Sequence, residues 1–128
     1  MARRRQLKIA TFNLLNLQAA GLSLYRRDDI VSQEDYDAKL AWTASMLKRL
    51  NADIIGFQEL WAPDALEDAF TTAGLRADYE LRTIAMEERG PAVALAVRRP
   101  ADIVHTRWIQ DFPNELVLRR RSENLDLG

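Results

Sequence analysis

The chain of 128 residues contains no cysteine. That removes disulfide scaffolds, cysteine nucleophiles and thiolate-held zinc or iron–sulfur centres together, so any metal must sit on oxygen or on an imidazole. There is one histidine, His105, which leaves no second imidazole for a histidine cluster. No apolar run approaches the roughly 18 residues of a membrane span. The segment after Met1-Ala2-Arg3-Arg4-Arg5 is too short and mixed for a signal-peptide core, so the chain reads as cytoplasmic. A formal net charge of -1 supplies no global pull toward nucleic acid or anionic membrane; such binding would need local patches. Glycine (5) and proline (4) are scarce enough for each to mark a boundary.

What is present is ordinary for a folded domain: 48% apolar and 29% charged residues argue against wholesale disorder. The length bounds it at one domain, residues 1–128, with a core over 7–110 and a weakly ordered tail over 111–128. The central stretch is Ala52 to Leu60, a short apolar run of the kind that forms a doubly buried strand, ending in the polar pair Gln58-Glu59. Ligands of open α/β sheets bind beyond the carboxyl ends of the strands, which makes Glu59 the first functional candidate. A satisfied loop glutamate is the plain alternative.

Leu7 to Leu15 is rich in strand formers and places Asn13 near the end of a first strand. Asn16 to Val31 has no sustained period and reads as a long loop. Ser32 with Asp35 three residues later resembles a capping box, and Tyr36, Leu40, Thr43, Leu47 and Leu50 then fall on one helical face. The buried strand Ile54 to Gln58 follows. Strand, helix, strand is a βαβ unit, so the two strands should be parallel neighbours with Asn13 and Glu59 at the same edge. Pro63 and Gly74 bracket a second helix with Leu66, Phe70 and Ala73 as its buried stripe. Tyr79 to Ile84, Ala92 to Val97 and Ile103 to Gln110 read as three antiparallel strands, and Glu115 to Leu118 as a short one.

Thr11-Phe12-Asn13, a helix, and then Asp53-Ile54-Ile55-Gly56-Phe57-Gln58-Glu59 resemble the opening of the endonuclease/exonuclease/phosphatase family. Ala92-Val93-Ala94-Leu95-Ala96-Val97-Arg98-Arg99-Pro100 is similar to a third family strand, with Ala92 and Val97 where glycine and serine are usual. The likeness spans Leu7 to Pro100. It implies an α/β fold: the N-terminal half of a four-layer α/β sandwich, one mixed sheet with helices on one face.

The resemblance further implies a divalent-metal phosphoesterase, a nuclease or phosphatase, in which Glu59 binds Mg2+ (or Mn2+) and Asn13 lies beside it. Magnesium chemistry agrees, since it takes one or two carboxylates, retains waters and accepts substrate phosphate oxygens. The family's later Gly-Asp-x-Asn and Ser-Asp-His motifs are absent, so no catalytic base or histidine is assigned; His105 reads as a strand or surface residue. Gln58, Asn16 and Trp61 are candidate substrate contacts, Trp61 having helix anchoring as an equal alternative. Tyr36, Lys39 and Trp42 border the site if the long loop folds over it, although packing explains Tyr36 as well. Arg3-Arg4-Arg5 and Arg119-Arg120-Arg121 suit phosphate geometry, though runs near chain ends are more often solvated. The expected partners are a phosphate-ester substrate, with nucleic acid one candidate, and either a complementing C-terminal half or a second copy on an uncovered sheet face. The competing reading is a non-catalytic interaction module using that face.

Overall fold

The computed structural model describes residues 6–84 and 90–109. Four strands form one mixed sheet: β1 (Ile9–Leu17), β2 (Ile54–Leu60), β3 (Tyr79–Thr83) and β4 (Ala92–Arg98), in the order β1-β2-β4-β3. Helix α1 (Gln33–Leu50) connects β1 to β2, and α2 (Pro63–Thr72) leads from β2 into a single 3-10 turn at Arg76–Asp78. β1 and β2 are parallel, as the βαβ pattern requires, while β4 runs antiparallel to both β2 and β3. The last strand thus inserts between β2 and β3.

Each helix boundary has a local cause. The Ser32 side chain accepts from the Asp35 N–H at 3.0 Å, which satisfies one of the free amides of the first turn. Asn51 closes α1 in the left-handed region (φ 45°), a conformation asparagine tolerates better than most residues. Pro63 opens α2, and Gly74 at φ 75° lets the Leu75 N–H return to the Phe70 carbonyl at 2.9 Å. Ala73, expected on the buried stripe of α2, is instead its half-buried cap.

Both helices cover the same sheet face. Phe12 of β1 meets Trp42 of α1 edge-on at 5.7 Å, Phe57 of β2 meets Phe70 of α2 at 6.1 Å, and Phe70 meets Tyr79 of β3 at 5.2 Å. Leu14, Leu17, Leu47, Ile55 and Leu66 complete the core without solvent contact. The opposite face is different. Thr11 and Val93 are exposed there, Ile54, Gly56 and Leu95 are half-buried, and Ile9 is 66% exposed.

One expected element is absent. Ile103 to Ile109 carries apolar residues but forms no strand; the Ile103 N–H goes to the Glu80 carboxylate at 2.9 Å instead of to a neighbouring backbone. Apolar composition favours a pleated surface only where a ladder partner exists. His105 is therefore exposed coil and not a strand residue. Gln110, the expected strand at Glu115 to Leu118 and the arginine runs at both ends lie outside the described residues. Among the described residues no helix is long and apolar enough to cross a membrane.

Candidate active site at paired bulges

Along β1 the buried positions are Phe12, Leu14 and Leu17; along β2 they are Ile55, Phe57 and Leu60. A regular strand buries every second residue, so in each case a step of two followed by a step of three marks a break in the pleat. The ladders show it. Between Asn13↔Gln58 and Leu17↔Leu60 three residues of β1 oppose one of β2, and between Phe57↔Ala94 and Leu60↔Ala92 two residues of β2 oppose one of β4. The two irregularities lie side by side at the carboxyl ends of the parallel strands. Bulges of this kind re-aim side chains and concentrate near active sites.

Glu59 is the residue this re-aims. Unbroken alternation would send it to the helix face with Ile55 and Phe57, where an unpaired carboxylate is costly to bury. Its φ of 63° turns it out of that register and gives the core position to Leu60. Leu15 (φ 56°) and Asn16 (φ 62°) do the same in β1. Left-handed backbone costs a residue with a side chain about 1–2 kcal/mol, so three instances in one patch require surroundings that hold them.

The holding contacts are specific. Asn13 Nδ2 donates to Glu59 Oε2 at 3.1 Å, and Asn13 Oδ1 accepts the Leu15 N–H at 2.8 Å. Lys39, reaching from α1, donates Nζ to the Leu15 carbonyl at 2.5 Å, so that one strained residue is tied through both its N–H and its C=O. Asn16 Oδ1 accepts the Trp61 indole N–H at 3.0 Å, while the Trp61 amide donates to the Leu17 carbonyl. Asn13, Glu59, Lys39, Asn16 and Trp61 therefore converge. Gln58 does not join them: its Nε2 lies back along the open face, donating to Thr11 Oγ1 at 2.9 Å and to the Gly56 carbonyl at 3.3 Å.

The segment expected as a long loop, Asn16 to Val31, folds back as an irregular hairpin. The Gly21 N–H donates to the Val31 carbonyl and the Val31 N–H to the Leu22 carbonyl, Ser23 bridges Ile30, and the buried Gln18 braces it through the Ser23 carbonyl. Tyr25 packs edge-on against Trp61 at 4.9 Å. A cleft of about 250 Å³ opens between this hairpin and α1, lined by Leu15, Asn16 and Lys39 among others. A larger cleft of about 420 Å³, containing Asp53 and Arg98, lies at the amino ends of β1 and β2. Asp53 and Arg98 are committed to the fold: Asp53 takes the Lys8 amide, and Arg98 bonds Asn51 and Ala52.

Tyr36 lines the cleft of about 250 Å³, yet it is largely buried and donates to Asp68 at 2.7 Å, which ties α1 to α2. Burial, reinforced by the Asp68 carboxylate, raises its pKa. Burial lowers the pKa of Lys39, with the negative charge of Glu59 acting in the opposite direction. Trp42 lies under the Lys39 ammonium, 5.7 Å from ring centroid to Nζ.

The donor set suits a hard divalent cation that keeps most of its water. Glu59 offers a carboxylate oxygen not engaged by Asn13, and Asn13 Oδ1 has a lone pair beyond the one given to Leu15. Among the described residues no group of three carboxylate or imidazole side chains gathers to form a fuller ligand cage.

A family model of the endonuclease/exonuclease/phosphatase family matches residues 10–126. The chain belongs to that family, whose members are hydrolases of phosphate esters and nucleic acids. No curated protein and no solved structure gives a match. The single mixed sheet with two helices is consistent with part of an α/β sandwich.

Proposed function

We propose that the chain carries the metal-binding portion of a divalent-cation phosphoesterase, hydrolysing a phosphodiester or phosphomonoester by attack of water. The observation that carries this reading is the Asn13–Glu59 hydrogen bond, formed where two adjacent ladders break together and three residues adopt left-handed backbone. Strain that the surroundings hold in place is a mark of functional sites.

In this reading Glu59 is the metal ligand and Asn13 fixes its rotamer, either by this bond alone or by adding its own oxygen to the shell. Bound Mg2+, or Mn2+ in its place, would polarise the phosphoryl group and stabilise the charge developing on it. Leu15, held between Asn13 and Lys39, keeps the Asn13 amide aligned so that Glu59 need not reorganise when a substrate arrives. Asn16 and Trp61, locked to each other, form the wall beside the carboxylate and face the substrate. Gln58 supports the same strand ends from the open face. In this reading the water-activating base comes from a complementing segment; among the described residues no cluster of three carboxylate or imidazole groups forms around Glu59.

Purified chain with Mg2+ and bis-nitrophenyl phosphate, alone and with the C-terminal half of a family member, tests the proposal. Turnover in the mixture that disappears in Glu59→Gln is expected; turnover surviving that substitution contradicts the assignment. The open sheet face, with Ile9 66% and Val93 49% exposed, favours a second reading as a non-catalytic interaction module. Turnover in no mixture, together with binding through that face, would select it.

A further inference from the structure

Lys39 is on the wrong element to be explained by the β-sheet motifs, yet its nitrogen sits at the site. Its Nζ bonds the carbonyl of Leu15, whose N–H bonds Asn13, whose amide bonds Glu59. The ammonium has three N–H groups, and among the described residues it forms no ion pair. It also lines the 250 Å³ cleft that shares Leu15 and Asn16 with the site and that Asp29 and Asp35 line as well, Lys39 being the one basic residue among the cleft's described lining. Its stem is half-buried over Trp42, so rotamer freedom has already been lost and little more is lost on gripping a ligand.

A cation half withdrawn from water, with donors to spare and a cleft in front of it, is matched to an anion. The negative charge of Glu59 acts on it, but Glu59 is held by Asn13, and neither Glu59 nor the cleft's Asp29 and Asp35 forms an ion pair with it. A dication on Glu59 would stand beside the Lys39 ammonium, and a phosphate, with several anionic oxygens, is a ligand that the two cations can share. From this placement we infer that Lys39 is a substrate-binding residue that takes a non-bridging phosphate oxygen, beside the cation held by Glu59.

The inference rests on the phosphoesterase reading, and it makes a demand that a structural clamp does not. A clamp on Leu15 needs only a donor. A phosphate contact needs the charge, and that charge opposes a cation on Glu59. Neutralising it should therefore move two affinities in opposite directions.

The test uses the whole chain, labelled with 15N, in wild-type, Lys39→Gln, Lys39→Arg and Glu59→Gln forms, titrated with Mg2+ alone and with inorganic phosphate in the presence and absence of Mg2+. Glutamine keeps a donor for Leu15, and a dispersed amide spectrum confirms that each variant folds. The expected result for Lys39→Gln is phosphate affinity reduced about tenfold or more and Mg2+ affinity increased severalfold, with Lys39→Arg close to wild type, as expected for loss of one charge-assisted hydrogen bond. Unchanged phosphate binding in Lys39→Gln, parallel loss of both ligands, or no phosphate response at Lys39 and Leu15 in the wild type overturns the inference. Glu59→Gln reports separately on the phosphoesterase reading, since it should abolish the Mg2+ response yet leave metal-free phosphate binding at Lys39. Should Mg2+ bind elsewhere, that reading fails while the metal-free arm still decides for or against Lys39.

Discussion

Asn13 Nδ2 lies 3.1 Å from Glu59 Oε2, joining residues 46 positions apart across the ends of two parallel strands. The same carboxamide accepts the Leu15 N–H at 2.8 Å, so one side chain orients the candidate ligand and stabilises the bulge beneath it. Asn13→Ala removes both bonds and should lower stability by about 1 kcal/mol, read from the urea midpoint. Asn13→Asp should differ in kind. It sets a second carboxylate against Glu59, so the variant should melt below wild type in EDTA and recover with Mg2+.

The left-handed residues give a prediction of opposite sign. Leu15 is 55% exposed at φ 56°, and replacing it by glycine removes backbone strain at the cost of greater unfolded-chain entropy. The difference between those terms predicts that Leu15→Gly gains about 0.5 kcal/mol in chemical denaturation. Destabilisation by Leu15→Gly would mean that the Leu15 side chain, not its backbone, holds the bulge.

Phe70 links the sheet to α2 through ring contacts with Phe57 and Tyr79 and is fully buried. Phe70→Ala should cost about 3–5 kcal/mol, enough to unfold a domain of marginal stability. Far-ultraviolet circular dichroism and the thermal midpoint measure the loss.

Alkaline stability should report on Tyr36. Its folded-state pKa is raised by burial and then by its bond to Asp68, so the unfolded chain loses the phenolic proton first. The stabilisation is fully present below the ordinary tyrosine value of about 10 and declines as pH rises beyond it. Tyr36→Phe should flatten that part of the stability–pH profile measured by urea denaturation between neutral and strongly alkaline pH.

The open sheet face predicts association. Val93 is 49% exposed between the half-buried Leu95 and the strand end, and Val93→Lys places a charge on that surface without entering the helix-side core. Sedimentation velocity should show less self-association for the variant than for wild type.

Much of this arrangement was legible in the residues. The βαβ unit follows from the apolar face of α1 and the buried run of β2, and it brings Asn13 and Glu59 to one edge. The bulges were encoded too. Phe12, Leu14, Leu17 and Ile55, Phe57, Leu60 share a step of two followed by a step of three, a signal that a search for strict alternation passes over. Insertion of β4 between β2 and β3 was not legible, because pairing partners depend on long-range packing and leave no local period. The hairpin over the site was hidden for a similar reason: its order comes from Gln18 and from Tyr25 meeting Trp61, contacts without periodicity. Ile103 to Ile109 shows the converse, strand-like composition with no ladder to join.

The most direct test of the central claim is paramagnetic broadening of the amide spectrum by trace Mn2+ on the whole chain. The account predicts losses centred on Asn13, Leu15 and Glu59 that vanish in Glu59→Gln while the rest of the spectrum is retained. Broadening centred on another part of the chain, or unchanged in Glu59→Gln, would contradict it.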